Sequence, residues 1–241
     1  AAYIPDPVPA VGTSIPSGSS FSAAAKNFKM PQVWRSNLAI DQKLAQNLNL
    51  TLEAIYSRII NNVYFRNANL GDQNGTLGGS LIDKPYYNQR LNAGISQMIV
   101  MDNINKGGSF SFTAALQKTF AKNWEASVAY TYTYADEVAI GSSDQSASGF
   151  NTNNITFNPN QPDLGYSNYS IPHRVVATGS KRFDYGKHKM FGTTIGLVYS
   201  AGPQERYSYR YGADINGDGQ SNDVIYVPKD PSEIQFVEGF K

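Results

Sequence analysis

Two adjoining stretches near the C-terminal end carry the residues with the most chemical character. Arg206, Tyr207, Tyr209, Arg210 and Tyr211 cluster around Ser208, and the segment DINGDGQSND follows directly at residues 214–223. Asp214, Asn216 and Asp218 stand at alternate positions ahead of Gly219. That spacing reproduces the first half of a calcium loop, whose first, third and fifth residues bring side-chain oxygens onto the ion before a glycine makes the sharp bend. Gln220 would supply a backbone carbonyl from the seventh position, and Asn222 holds the ninth. The departure comes at the twelfth, where the bidentate acid is replaced by Ile225, so Asp223 at the tenth would have to substitute. The same residues also read as an Asx-rich turn built from Asn-Gly and Asp-Gly steps without a metal. Both readings stay open, and any Ca2+ here is structural. The tyrosine faces and arginine forks ahead of the loop suit sugars, peptides or chelates alike, with Tyr166 and Tyr169 as further candidates. Packing against neighbouring loops is the plainer use of any single tyrosine.

Other chemistries find little support. The 241 residues include no Cys, which excludes a disulfide framework and thiolate metal sites. With 20 basic against 19 acidic residues, the balance offers no surface for nucleic acid. A nucleophile needs a base beside it, yet the only histidines are His173 and His188. One is expected at the start of a strand and the other just after a tight turn, at opposite ends of the sheet. The reading is therefore of a protein that is not an enzyme.

The elements that must carry these residues are strands. Along residues 110–120, Phe110, Phe112, Ala114, Leu116, Lys118 and Phe120 alternate with Ser111, Thr113, Ala115, Gln117 and Thr119. Residues 124–134 repeat the pattern after a connection of only Ala121, Lys122 and Asn123. Successive side chains of a strand point to opposite faces, so each strand has one apolar face and one small, polar face. Residues 34–44 with 48–58, and 174–185 with 188–200, form two further hairpins, joined by 45–47 and by Gly186 and Lys187. Short connections of this kind fix pairing and register. Six strands are predicted.

A water-soluble sandwich alternates in the same way, and the exceptions on the apolar face decide between the two. Gln42, Lys118 and Lys181 interrupt that face, each within a few residues of a short turn, where a long polar side chain reaches lipid headgroups. Aromatics mark both strand ends: Phe120, Trp124, Phe183, Tyr185 and Phe191 near the turns, and Trp34, Tyr56, Tyr130, Tyr132, Tyr134 and Tyr199 at the far ends. Leu38, Leu50, Leu52, Val128, Ile195 and Leu197 lie between them. Two aromatic girdles around an aliphatic belt describe the lipid-facing wall of an all-β, antiparallel transmembrane β-barrel with long extracellular loops. The strand length suits a tilted crossing of hydrocarbon. A negative mean hydropathy agrees, because such strands give lipid only half their residues. No run of about twenty apolar residues is present, which excludes a spanning helix, and any secretory signal is expected upstream of Ala1.

With the short turns in the periplasm, residues 59–109, 135–172 and 1–32 belong to the outside. Within the first of these, 63–67 and 91–101 look extended, as a hairpin or as strand extensions above the membrane. The loops hold too little apolar residue to form domains of their own. Six or seven strands cannot close a membrane barrel, whose minimum is about eight. The chain is therefore expected to be part of a larger barrel, ending soon after a further extended segment at 224–227. Glu53, Glu125, Arg174 and Arg182 are expected to face the lumen.

Three loop segments carry a family resemblance: NNVYFRNANL, NQPDLGYSNYSIPHRVVATGSKRFDYGKH and RYSYRYGADINGDGQSNDVIYVP. From about Pro31 onward the chain resembles the C-terminal barrel region of TonB-dependent outer-membrane receptors of the SusC/Oar-like, carboxypeptidase-regulatory-domain class. The resemblance implies a barrel of 22 strands, an N-terminal plug domain and nutrient import driven by the inner-membrane TonB complex. It also implies a surface lipoprotein partner of the kind such receptors often have. Residues 1–241 would then be late strands of the barrel, with 201–228 an extracellular loop bearing the calcium-like motif. No plug and no TonB box are recognised in these residues. The competing expectation is a soluble, secreted, calcium-stabilised β-domain that binds glycan or protein.

Overall fold

The computed structural model describes residues 17–77, 84–138, 143, 145–227, 230 and 232. Expectations for residues 1–16, for parts of the GSSD stretch and for the segment beyond 227 lie outside the described residues. In chain order the strands are β1 (Ser19–Ala24), β2 (Gln32–Ala45), β3 (Leu48–Asn67), β4 (Gly75–Thr76), β5 (Pro85–Tyr86), β6 (Ile95–Ile104), β7 (Gly108–Phe120), β8 (Trp124–Glu137), β9 (Gly165–Tyr166), β10 (His173–Tyr185) and β11 (Phe191–Ala201). One short helix, α1 (Ser146–Thr152), precedes β9.

The alternating segments form a single antiparallel wall in the order β2-β3-β7-β8-β10-β11. Pairing puts like faces together. Gln42, Leu50, Leu116, Val128, Ala177 and Tyr199 stand opposite one another on one cross-strand row, and Ile40, Leu52, Ala114, Tyr130 and Val175 on the next. On the other face Ala39, Glu53, Thr113, Thr131 and Arg174 form a polar row. That face is cross-linked by the Thr113 and Thr131 hydroxyls at 3.0 Å, the Ser127 and Thr178 hydroxyls at 2.6 Å, and the Thr51 hydroxyl donating to Asp41 at 2.5 Å.

The greasy face is open. Leu38 is 67% exposed, Val128 44% and Leu197 76%. A soluble sheet buries such a face, whereas a lipid-facing wall presents it to acyl chains.

Aromatics close the wall at both ends, as the alternation predicts. Phe120 pairs with Trp124, and Tyr185 with Phe191, at the short turns. At the other end Tyr56, Phe110 and Tyr134 share a row. Tyr199 and Tyr130 depart from the expected upper band, because register places Tyr199 on the row of Val128 and Leu116 and Tyr130 on that of Ile40 and Leu52. Lys181 explains its own place on the apolar face. Its ammonium lies 4.8 Å from the Trp124 ring and 5.5 Å from that of Phe183, and it donates to the Lys122 carbonyl of the turn at 2.8 Å. The long stem lies on the aromatics while the charge meets polar backbone at the rim.

The tight turns differ in detail from expectation. The first contains only Gln46 and Asn47, with Asn47 left-handed at φ 58°. The third is longer than two residues: Gly186 has φ 84°, Lys187–Lys189 form a 3-10 turn, and His188 and Lys189 are also left-handed. Strand β11 therefore starts at Phe191 rather than His188, since positive φ at consecutive residues cannot continue a pleated strand.

The extended stretches at 63–67 and 91–101 are strand extensions. β3 runs unbroken for 20 residues, about 65–70 Å at the usual rise. A membrane crossing needs only about 9–11 residues, so roughly half of β3 rises beyond the bilayer. Its partners β7 and β6 keep one register across it, from Leu48↔Lys118 through Arg58↔Gly108 to Asn67↔Ile99, interrupted only at residues 105–107. β1 adds a parallel strand to the far edge of β6, and 91–94 is a turn outside the strand. Residues 224–227 do not form another strand; only Val224 pairs there, through an isolated bridge to Arg210.

The small hydrophobic core lies in this outer region. Phe65, Ile99 and Phe150 are buried together, with Val63 and Met101 packed against them. Helix α1 brings Phe150 to the arm formed by the outer end of β3, residues 59–67, and β6, and Gly149 permits the approach: a Cβ there would sit 2.3 Å from the Phe65 ring. Loop 135–172 thus shares a core with the arm. Among the described residues the wall does not close on itself, since β2 pairs only with β3 and β11 only with β10.

Candidate functional site

Above the wall, the loop segments are knit by polar groups. Asn160 donates to the Asn67 carbonyl at 2.9 Å and accepts the Asn67 amide at 2.7 Å, so NNVYFRNANL is bound to the NQPD stretch. Asn67 in turn accepts from the amides of Asn69 and Met98, and Asn69 donates to the carbonyls of Asn92 and Ile95. The calcium-like loop joins the same assembly. The Tyr87 amide donates to the Asn216 carbonyl, the Asn222 side chain to the Phe150 carbonyl, and the amides of Ile155 and Val224 to the carbonyls of Asn222 and Ile155. Lys84 donates to the Val224 carbonyl and lies over the Tyr211 ring at 5.8 Å.

Beside this assembly opens a cavity of about 570 Å³, lined among others by Glu137, Asp163, Tyr166, Arg206, Tyr207 and Tyr209. Strand β9 holds Tyr166 by pairing Gly165 and Tyr166 with Glu137 and Asp136 at the top of β8. The Arg206 guanidinium lies 3.9 Å from the centre of the Tyr166 ring, and Tyr207 and Tyr209 meet edge to face at 5.3 Å. One Glu137 carboxylate oxygen is buried without a partner. The cleft therefore offers exposed aromatic faces and a guanidinium, a set able to stack on a ring and hydrogen-bond its substituents.

The five candidate contact residues part company here. Arg206, Tyr207 and Tyr209 line the cleft, with Tyr166 beside them. Arg210 instead bonds Asn154 at 2.7 Å and the carbonyls of Asn151 and Thr152, and burial lowers its pKa. Tyr211 lies under Lys84, and its amide donates to the Asp223 carbonyl. Tyr169 is 79% exposed and outside the cleft lining. Glu137 and Asp163 were not picked out from sequence, since a single acid among loop residues carries no spacing signal. His173 hydrogen-bonds Tyr130 at 2.8 Å on the upper wall, while His188 sits in a turn at the opposite end.

In residues 214–223 the side chains at alternate positions fold over the loop. Asp214 accepts the amides of Gly217 at 2.7 Å and Gly219 at 2.8 Å; Asn216 accepts that of Asp218 at 2.9 Å, and Asp218 that of Gln220 at 2.8 Å. Gly217 and Gly219 have φ of 79° and 93°, a backbone that favours glycine. Asp223 accepts the amides of Ile215 and Asn216. The Gln220 side chain bonds Gln97 on β6 at 2.9 Å. Burial pushes the Asp218 carboxyl up to about 7, against the pull of the Gln220 amide, and raises Asp223 as well. Burial lowers Lys84, which Asp223 partly offsets. Among the described residues no three His, Asp or Glu side chains gather as a metal centre. A cation in this loop would have to draw on amide and backbone oxygens too.

Comparison with known proteins decides the class of the wall. Residues 1–201 match the family model described as an outer membrane beta barrel domain. The chain belongs to that family. It is an outer-membrane β-barrel protein, which removes the soluble-sandwich reading and makes the exposed aliphatic belt a lipid contact. No curated protein and no solved structure matches the chain.

Proposed function

We propose that the chain is part of the barrel wall and external vestibule of a TonB-dependent receptor of the SusC/Oar-like class, which takes up a nutrient such as an oligosaccharide, peptide or chelate. The observation that carries this reading is the outer assembly. The three motif-bearing segments meet above the wall, the first and second joined at Asn67–Asn160 and the second and third where Arg206 lies over Tyr166, and they hold an aromatic and arginine cleft. A simple diffusion pore has no use for such a built, ligand-sized recess.

Further strands of the same receptor complete the wall, because unpaired edges at β2 and β11 would cost several kcal/mol per exposed backbone group in lipid. A plug domain sits against the polar face, where Glu53, Glu125, Arg174 and Arg182 are its contacts. The TonB complex supplies the energy from the periplasmic side, and a surface lipoprotein is the partner on the outside. The role is not catalytic.

The intact receptor in its host tests this. Uptake of labelled nutrients, taken from panels of oligosaccharides, peptides and chelates, should stop when a protonophore collapses the inner-membrane gradient. Replacing Tyr166, Arg206, Tyr207 and Tyr209 together with alanine should weaken binding at least tenfold while the amount of receptor in the outer membrane is unchanged. Uptake indifferent to the protonophore would mean a passive channel and overturn the reading.

A further inference from the structure

Residues 214–223 present an imbalance that hydrogen bonding inside the protein does not relieve. Asp218 uses one carboxylate oxygen on the Gln220 amide, and Asp223 one on the amides of Ile215 and Asn216. The second oxygen of each, and the side-chain oxygen of Asn222, are buried with no partner, in residues that are 1%, 1% and 0% exposed. These three are acceptors, against one donor of the same loop, the Asn216 Nδ2, that is also buried without a partner. Orphaned carboxylate oxygens of this kind are costly unless a donor or a cation meets them. Lys84 faces Asp223 and offsets part of its charge, but its ammonium hydrogen-bonds the Val224 carbonyl and leaves the second Asp223 oxygen without a partner; Arg90 reaches only the Gly217 carbonyl, at 3.4 Å.

We infer that this loop binds one calcium ion, held by oxygens of Asp218, Asp223 and Asn222 with support from Asp214, Asn216 and the Gln220 carbonyl. A hard cation takes only oxygen ligands, and Ca2+ accepts a mixed set of carboxylate, amide and backbone oxygens in irregular geometry, whereas Mg2+ demands an octahedron and keeps its waters. Asp223 replaces the missing twelfth-position acid. The ion acts as a staple. The loop that binds it also holds Tyr87, Gln97, Phe150 and Ile155, so calcium fixes three outer segments against one another. The inference stands apart from the identity of the nutrient and from TonB coupling.

The test uses the full protein in detergent, stripped with EGTA and titrated with Ca2+ by calorimetry. One calcium per chain is expected, with a dissociation constant on the order of 10⁻⁴–10⁻³ M as in other extracellular modules. Hydrogen exchange at the Ile155 and Val224 amides should slow about tenfold or more on calcium addition and not on Mg2+, since closing of the local opening that limits exchange becomes linked to binding. Asp218→Asn combined with Asp223→Asn should abolish calcium binding. Asn216→Asp, which adds a carboxylate at the third position, should tighten it severalfold and so keeps the test informative if the double variant loses its loop. No calcium binding by the stripped wild-type protein at about 10 mM Ca2+, well above that range, or binding that survives the double substitution, would overturn the assignment.

Discussion

The wall and the loops above it are inside out relative to one another. In the wall, side chains such as Leu38, Leu116, Val128 and Leu197 stand exposed while the opposite row is Thr, Ser, Gln and charged residues. Above it, the deeply buried groups include Asn67, Asn69, Asn153, Asn216, Asp218, Asn222 and Asp223, and the buried hydrophobics of the described residues, Phe65, Leu70, Tyr87, Ile99, Val100, Val138, Phe150 and Ile155, all lie there too. The difference follows from solvent. Lipid rewards apolar surface on the outside and demands that backbone groups pair within the sheet. Water rewards neither, so loops poor in apolar residues hold shape by bonding buried amides and carboxylates to one another and to backbone, with the second oxygens of Asp218 and Asp223 and the Asn222 side-chain oxygen left over.

The contrast can be broken most strongly at the wall. Leu116→Arg, midway between the aromatic bands, should destabilise the folded protein in lipid vesicles by about 2–4 kcal/mol, whereas Gln117→Arg on the adjacent polar face should cost less than about 1 kcal/mol. Equal costs in denaturant titrations of the two variants would contradict the lipid contact. Above the membrane, Gly149→Val drives a side chain into Phe65 and should cost about 1–3 kcal/mol of loop docking. Protease cleavage near α1 should then appear while the wall stays folded; loss of the whole protein would mean that the two regions are not separable.

Asn160→Ala sharpens the polar side of the comparison. It removes both bonds to the Asn67 backbone and should weaken protection of the Asn67 amide by about 1–3 kcal/mol in hydrogen exchange. Unchanged exchange at Asn67 would show that the asparagine network does not hold the arm. The smallest effect belongs to the rim. Lys181→Ala loses the contacts with Trp124, Phe183 and the Lys122 carbonyl, for about 0.5–1 kcal/mol in the same denaturant titrations.

The two regions were also unequally legible. Alternation with a period of two is a physical consequence of the pleat, so residues such as Phe110 to Phe120 announce their strand, their faces and, through the three-residue turn at 121–123, their partner. The turn at 186–190 was less readable, because left-handed His188 and Lys189 are not residues that advertise positive φ. The unbroken run of β3 into the arm was open because residues 59–67 do not say which side they pair on. In the cleft, Arg206, Tyr207 and Tyr209 could be named from composition, but Arg210 and Tyr211, identical in type, turn to other loops. That choice depends on Asn154 and Lys84, which are distant in sequence. The calcium-like spacing was visible in Asp214, Asn216 and Asp218, while the burial of Asp218, Asn222 and Asp223 came only from the packing of three segments around them.

The central claim is that one face of the wall meets acyl chains while its neighbour stays wet. Spin labels placed singly from Phe110 to Phe120 and at Leu50, Val128 and Leu197, in the protein reconstituted in bilayers, test it through collision with oxygen and with a water-soluble nickel complex. Oxygen contact should peak at Phe112, Ala114, Leu116, Leu50, Val128 and Leu197, with nickel contact peaking at Thr113, Ala115 and Gln117, a period of two. Labels at Leu50, Val128 and Leu197 shielded from oxygen, or a profile without alternation, would contradict it.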